Sequence, residues 1–492
     1  MPDDLRRTAA GGVAWTASSQ AARQAIQIVV TSILAWNLAP ADFGLIGMAA
    51  VALALTAPLN EMGLSAALIQ RKDLRPGHAV VAFWCQVGVA SILGGALALA
   101  APLVATFFHR EDVIPLLRVL CLGLPLGAAA ATPQALLQRQ MRFGRMAGIE
   151  TLAQGIAGAL SVVMAFSGYG VWSLVAQSLT GSFLSAVLFL GAARFNPLAV
   201  SGFSRTRDLG DLLAFGAPLI GYQVLNFVSR NIDDILIGRF LGAESLGYYT
   251  MAYRVMMYPL EKVTGVIGRV TFPAFSSIQE DPARLRRGYL KVAECIALTT
   301  FPLMTVMIIA APAFTRVIFG PAWDPAAPLI AVLSLAGMAA SVGSTTGNIF
   351  LARGRSDLML RWEMVASVCY TIAIVAGLSR GLMGVAVAYT VTSLILWPIS
   401  HAVANRLIDL RLADFYRTLV PPAVLAAVIA AALLALQAIW GSSAATTASA
   451  SFLAAVLSVT AIIVAAAAAL GRPAAVAEAW SLAREALRGA RG

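Results

Sequence analysis

Two apolar stretches of this chain carry polar side chains at helical spacing. Thr16, Gln20, Arg23, Gln27 and Thr31 recur every three or four residues in the first, and Tyr222, Asn226, Arg230 and Asp233 do so in a later one. In a helix each set lies along one face. An ionisable group in a bilayer costs about 2.5–3.5 kcal/mol on insertion scales, so it normally faces a bundle interior or a wet cavity. The chemistry on offer is binding: a guanidinium fork matches the oxygens of an anion, and Gln, Asn, Tyr and Thr match hydroxyls. Neighbouring stretches add Pro58 and Glu61, and Arg254, Pro259, Glu261 and Lys262. Proline frees backbone carbonyls, which is tolerated where they are buried in protein or line water, so these stretches are expected to line the same site. Glu61, Asp233 and Asp234 are candidates for ion coupling or for partners to the arginines. Arg230 either joins the site or pairs with Asp233 or Asp234; the outer end of the helix would leave those two aspartates solvated. Glu150, Glu294 and Glu363 fall near helix ends beside basic groups, where surface ion pairs account for them. Arg118 and Arg316 have no evident partner.

Catalytic and metal chemistry find no footing. Cys85, Cys121, Cys295 and Cys369 lie in apolar stretches without paired spacing and read as free thiols, and His78, His109 and His401 are scattered. No loop on the face poor in basic residues exceeds about ten residues, and nothing resembles a phosphate-binding glycine loop. The expectation is a transporter with no catalytic residues, no metal and no cofactor.

The elements that must position these residues are membrane spans. Of the residues, 59% are hydrophobic and 12% charged, with a mean hydropathy of +0.80, against about 25% charged in soluble proteins. Fourteen stretches are long enough to cross about 30 Å of hydrocarbon. They run over about 11–36, 43–69, 78–107, 113–137, 147–167, 169–193, 211–238, 246–270, 290–318, 327–352, 358–379, 381–404, 418–440 and 449–470. The first is too long and too polar at its middle for a signal peptide and is expected to be a retained helix. Lys and Arg cluster in every second gap, from Arg6/Arg7 to the tail, whereas the alternate gaps hold only Arg110, Arg239 and Arg380. Basic residues resist translocation, so both termini are expected on the cytoplasmic side. The net charge of +11 thus faces anionic lipid head groups, and no nucleic-acid partner is expected.

An internal repeat organises the spans. Leu38-Ala-Pro-Ala-Asp-Phe-Gly44-Leu-Ile-Gly-Met48-Ala49 matches Leu241-Gly-Ala-Glu-Ser-Leu-Gly247-Tyr-Tyr-Thr-Met251-Ala252 at a constant offset, which also sets Gln20 on Gln223. Pro115-Leu-Leu-Arg-Val-Leu echoes Pro328-Leu-Ile-Ala-Val-Leu, and Gly170-Val171 echoes Gly384-Val385. The repeat is six spans long, so the copies share one topology and are related by an axis along the membrane normal. The fold class is therefore an all-α integral membrane protein: an N-lobe over 1–200, a C-lobe over 205–405, two further spans over 418–470, and a tail over 472–492. In that tail Val476, Trp480, Ala483 and Leu487 share a helical face, as an interfacial amphipathic helix or a basic tail.

Several motifs carry a resemblance: Leu68-Ile-Gln-Arg-Lys-Asp-Leu74, Ala135-Leu-Leu-Gln-Arg-Gln-Met-Arg-Phe143, Gly168-Tyr-Gly-Val-Trp172, Ser229-Arg-Asn-Ile-Asp-Asp-Ile-Leu-Ile-Gly-Arg-Phe-Leu-Gly242, Gly247-Tyr-Tyr-Thr-Met-Ala-Tyr-Arg254 and Phe272-Pro-Ala-Phe275. Over about residues 5–410 the chain resembles the polysaccharide transporters of the multidrug/oligosaccharidyl-lipid/polysaccharide flippase superfamily, specifically their lipopolysaccharide and colanic-acid exporter branch. The resemblance implies two six-helix lobes that rock by alternating access around a central cavity in a bacterial inner membrane. It implies transfer of an undecaprenyl-diphosphate-linked oligosaccharide from the inner to the outer leaflet, for O-antigen, capsule or exopolysaccharide export. Membrane lipids and polysaccharide polymerase and export machinery are the implied partners. Arg23 and Arg254, with Arg230, are then expected to hold the diphosphate, and Gln20, Gln27, Tyr222 and Asn226 to meet the head group. Proton, sodium or membrane-potential coupling would supply the energy. A cation or multidrug antiporter of the same superfamily would favour cavity carboxylates over Arg23. A non-transporting scaffold of a polysaccharide-synthesis complex would need no polar stripe in the bilayer.

Overall fold

A computed structural model describes residues 20, 22–56, 64–70, 76–197, 206–278, 281–440 and 449–470, with residues 206–230 described by their backbone alone. Every regular element among them is helical. Helix α1 covers 22–37, followed by α2 (Pro40–Ala54), α3 (Leu64–Gln70), α4 (Pro76–Phe108), α5 (Val113–Leu120), α6 (Gly123–Arg139), α7 (Phe143–Phe166) and α8 (Trp172–Ala193). After α9 (Thr206–Ser277) come α10 (Pro282–Ile318), a 3₁₀ turn (Pro321–Ala326), α11 (Ala327–Ala352), α12 (Ser356–Leu378), α13 (Gly381–Arg406), α14 (Leu412–Trp440) and α15 (Ala450–Leu470).

Among the described residues, ten helical segments are long and apolar enough to cross a membrane; the chain is a multi-pass membrane protein. The other four expected spans are the first, second, seventh and eighth. The first two fall partly outside the described residues, and the other two lie along α9. That helix is not continuous: Gly242 takes φ 86° and ψ −179°, and so breaks the ladder between the two expected spans. A left-handed φ carries no Cβ penalty at glycine.

The chain divides into two compact units, Met1–Gly247 and Tyr248–Gly492. In the first, α4, α6, α7 and α8 pack on one another. Ala130, Leu137, Met146, Ala186 and Phe189 form one buried cluster, and Val30 and Leu34 of α1, with Leu38 just after it, form another with Ala165 of α7. Here the repeat becomes visible as a reciprocal contact. A Cβ placed on Gly44 would lie 1.7 Å from the Ala243 carbonyl oxygen, and one on Gly247 would lie 2.0 Å from that of Pro40. The repeat offset pairs Gly44 with Gly247 and Pro40 with Ala243, so the two copies make the same backbone-to-backbone contact on each other. Small residues four apart allow this approach, as in close membrane helix pairs.

In the second unit α10 is the spine, packing against α11, α14 and α15. Tyr289, Ala293 and Ala297 of α10 share a core with Phe350, Phe415 and Leu419. Val306, Ala310 and Ala313 share another with Ile429 and Leu433 of α14 and Phe452 and Val456 of α15. The last two spans are thus part of the second unit's core, a packing that their alanine-rich sequence leaves unsigned.

Candidate functional site

Arg23 makes an ion pair through Nη1 with Glu150 Oε2; the two side chains are 20% and 33% exposed. Gln134 Nε2 of α6 donates to the other oxygen, Glu150 Oε1, at 3.3 Å. One turn along, Gln154 Nε2 donates to Gln27 Oε1 at 2.7 Å, and Gln27 Nε2 donates to Thr31 Oγ1 at 3.1 Å. The next turn brings Gly158 so close to Val30 that a Cβ there would meet Val30 Cγ2 at 2.7 Å, and Leu34, Val162 and Ala165 close the seam.

The pairing order rises together on both helices, so α1 and α7 run parallel. Residues 150, 154, 158 and 162 occupy successive turns of one face. The seam changes along its length from charged, to amide, to apolar. Its charged end lies beneath the loop that carries Arg142. Glu150 is seven residues into α7, about 10 Å from its start at 1.5 Å per residue.

This arrangement corrects the reading of Glu150 as a surface ion pair at a helix end: its partner is the arginine of the polar stripe, 127 positions away. The sequence held a usable signal in Glu150, Gln154 and Gly158, a polar-to-small series at four-residue steps. Gln20 is helical and half-buried. Glu61 lies outside the described residues, as do the side chains of Tyr222, Asn226 and Arg230. Asp233 is buried, at 7% exposure, and its Oδ1 accepts from the Asp234 backbone N–H at 3.0 Å. The expectation of a solvated helix end fails for Asp233, because α9 continues past it to Gly242. Arg254 is exposed.

Other polar groups find structural employment. Arg139 Nη1 donates to the carbonyls of Leu68 and Ile69, at 3.0 and 3.1 Å, and so joins two of the motifs quoted above. Gln86 bridges Ser65 Oγ and Thr132 Oγ1, at 3.2 and 2.9 Å. Arg118 Nε donates to the Ala98 carbonyl at 3.4 Å, the carbonyl four residues before Pro102, which has no N–H to satisfy it. Arg316 pairs with Asp324 at 3.8 Å. The four cysteines are free. No cluster of three or more His, Cys, Asp or Glu side chains that could hold a metal occurs among the described residues.

The second unit holds a row of tyrosines that sequence reasoning did not single out. Tyr249 stacks on Tyr253 at 6.0 Å, Tyr253 meets Tyr389 edge-on at 6.0 Å, and Tyr389 stacks on Tyr370 at 5.0 Å. The Tyr370 hydroxyl is 3.1 Å from Ser393 Oγ. Such rings join apolar faces to hydroxyl tips. Their spacing spans α9, α12 and α13, so no single stretch of sequence displays it.

The polar seam can therefore hold a polyoxyanion on a guanidinium beside amides that suit hydroxyl groups. A family model described as polysaccharide biosynthesis protein matches residues 33–328. The chain is 28% identical over 420 residues to the teichuronic acid biosynthesis protein TuaB of Bacillus subtilis (strain 168), covering 84% of this chain and 86% of that protein. It is 26% identical over 398 residues to the lipopolysaccharide biosynthesis protein WzxC of Escherichia coli (strain K12), covering 80% of each. Its fold is similar to that of the lipid II flippase MurJ in an inward closed conformation, with a TM-score of 0.71 at 12% identity over 93% of this chain and 99% of that one. It is also similar to an inward-facing multidrug resistance MATE family transporter, with a TM-score of 0.61 at 15% identity over 78% and 94% of the two chains.

Proposed function

The chain belongs to the polysaccharide biosynthesis protein family, and on that premise we propose that it moves oligosaccharide repeat units linked to undecaprenyl diphosphate from the inner to the outer leaflet of a bacterial plasma membrane. The product is exported as O-antigen, capsule or exopolysaccharide. Arg23 receives the diphosphate, Gln20 and Gln27 meet the head group, and the lipid tail stays in the bilayer. Arg254, Arg230, Tyr222 and Asn226 supply the equivalent contacts from the second repeat, with Glu61, Asp233 and Asp234 as charge partners. Both termini face the cytoplasm, the side on which the basic loops lie. The repeat divides the chain into lobes over 1–200 and 205–405 that alternate access between the leaflets, followed by the spans over 418–470 and the tail over 472–492. Polymerase and export machinery act on the delivered units.

The observation that carries this reading is the seam between α1 and α7, with Gln134 of α6 beside it, where an arginine, a glutamate and three amide side chains are gathered inside mainly apolar helices. A helix pair needing only adhesion has no use for a charge there. Leaflet accessibility in proteoliposomes tests the reading, with authentic lipid-linked oligosaccharide and a lectin or glycosidase that cannot the bilayer cross. Protein-dependent transfer is expected. Arg23→Ala is expected to slow it about tenfold or more, the loss of a charge-assisted hydrogen bond. Full transfer by Arg23→Ala at normal protein level overturns the role of Arg23. No transfer by folded wild-type protein overturns the substrate, and drug antiport becomes the next activity to assay.

A further inference from the structure

Glu150 sits where an incoming anion would have to bind. We infer that Glu150 is the resident counter-ion of this site: its carboxylate holds the Arg23 guanidinium while no head group is bound, the diphosphate takes its place on Arg23, and the carboxylate returns as the head group leaves. This rests on the transport function proposed above and adds to it the residue that sets how tightly the head group is held and how fast it departs.

The contact geometry supports exchange over a fixed staple. Arg23 meets Glu150 through one terminal nitrogen and one oxygen, while the second carboxylate oxygen is turned to Gln134. A guanidinium has five donors in a planar fork, so this pair falls short of the bidentate match that carboxylate and phosphate can both make. A diphosphate brings more oxygens and more charge than a single carboxylate, and it can engage the fork more fully.

The degree of burial supports it as well. With 20% and 33% of the two side chains exposed, a ligand can reach the pair, yet neither charge is fully solvated. Removing one member of a buried pair leaves an uncompensated charge, at a cost that solvent lessens here without abolishing. A guanidinium deserted by its head group therefore benefits from a carboxylate already within reach. Gln134 keeps that carboxylate on station while it is off Arg23. Arg142 and Arg145, at the loop end of α7, provide positive charge on the approach to the site.

The inference makes a prediction opposite in sign to that of a structural salt bridge. A staple, once cut, loosens the site and weakens binding. A competing counter-ion, once removed, leaves Arg23 to the ligand alone. The test is isothermal titration of the full chain in lipid nanodiscs with inorganic diphosphate, comparing wild type, Glu150→Gln, Glu150→Ala, Glu150→Asp and Arg23→Gln. Glu150→Gln is expected to bind diphosphate about tenfold more tightly than wild type, equivalent to about 1.4 kcal/mol. Glu150→Ala should move in the same direction with a different shape, which protects the result against a folding defect in one variant. Glu150→Asp, which keeps the charge, should stay near wild type, and Arg23→Gln should bind least. In proteoliposomes Glu150→Gln should lower kcat and KM together, because release slows as binding tightens.

Equal or weaker binding by both neutral variants, with Arg23→Gln weaker than wild type, overturns the counter-ion role and leaves Arg23 as the anion site. Wild-type binding by Arg23→Gln instead overturns Arg23 as the anion site and the counter-ion role with it. Absence of binding by folded Glu150→Gln overturns the counter-ion role too. Leaflet transfer of lipid-linked oligosaccharide is read separately, so a wrong substrate is distinguished from a wrong role for Glu150.

Discussion

Asp281 shows how a single side chain fixes the start of a long helix. Its Oδ1 accepts hydrogen bonds from the backbone N–H groups of Ala283 and Arg284, both at 3.0 Å, and Pro282 follows it as the first residue of α10. The N–H of Arg284, aided by that of Ala283 and by the charges of Arg284 and Arg287, holds the Asp281 carboxyl below its usual range. A depressed carboxylate pKa adds stability above the unfolded value, about 3.9, and that stability is lost as pH falls through the folded value. Asp281→Ala should therefore lower the thermal midpoint at neutral pH, and the gap from wild type should close as the pH drops below about 4. A gap that persists unchanged at pH 3 would mean that the charged cap is not its source. Residue roles were legible in the sequence when the signal was local. Arg23 stands out in a stripe with period 3.6. Arg118 and Arg316 were not legible in this way, and Glu150 only as one member of a four-residue series, because their partners Ala98, Asp324 and Arg23 belong to other elements and packing alone identifies them.

At the scale of elements, hydrophobic length was a sound guide. The apolar stretches expected over 327–352 and 449–470 became Ala327–Ala352 and Ala450–Leu470. The break at Gly242 was expected from a gap between spans, and a residue with φ 86° supplies it. What sequence could not give is how closely helices approach. Gly44 and Gly247 were noticed only because they repeat, yet each meets the backbone of the other copy with no room for a methyl group. Gly44→Ala or Gly247→Ala must push those backbones apart, with an expected loss of about 1–3 kcal/mol or more. Gly95 in α4 is the control, since a Cβ there meets nothing within 4 Å. Gly95→Ala should be neutral or should stabilise by about 0.5–1 kcal/mol through helix propensity. Thermal midpoints of the purified variants separate the two cases. Equal effects at Gly44 and Gly95 would contradict the close contact.

For the whole molecule, the charge of the proposed cargo links the direction of transport to the membrane potential. In the proposed topology the basic loops lie on one side of the membrane, and the proposed cargo carries two negative charges on its diphosphate while the tail stays in lipid. Glu150 and Arg23 belong to the protein and do not cross, so the head group crosses as a net anion unless a cation travels with it. Each elementary charge moved across the membrane is worth about 2.3 kcal/mol per 100 mV. Two charges leaving a negative interior therefore gain roughly 4–5 kcal/mol per 100 mV, a driving force that needs no ATP. The measurement is leaflet transfer in proteoliposomes with a potassium diffusion potential set to either sign. A potential negative on the donor side should speed transfer, and the reverse potential should slow it. The asymmetry should persist in the absence of proton and sodium gradients, because the moving charge is the cargo's own. An equal rate at both polarities would show that the two charges do not move uncompensated. The driving force would then lie with a co-transported cation, and imposing a proton or a sodium gradient in the same vesicles would identify it.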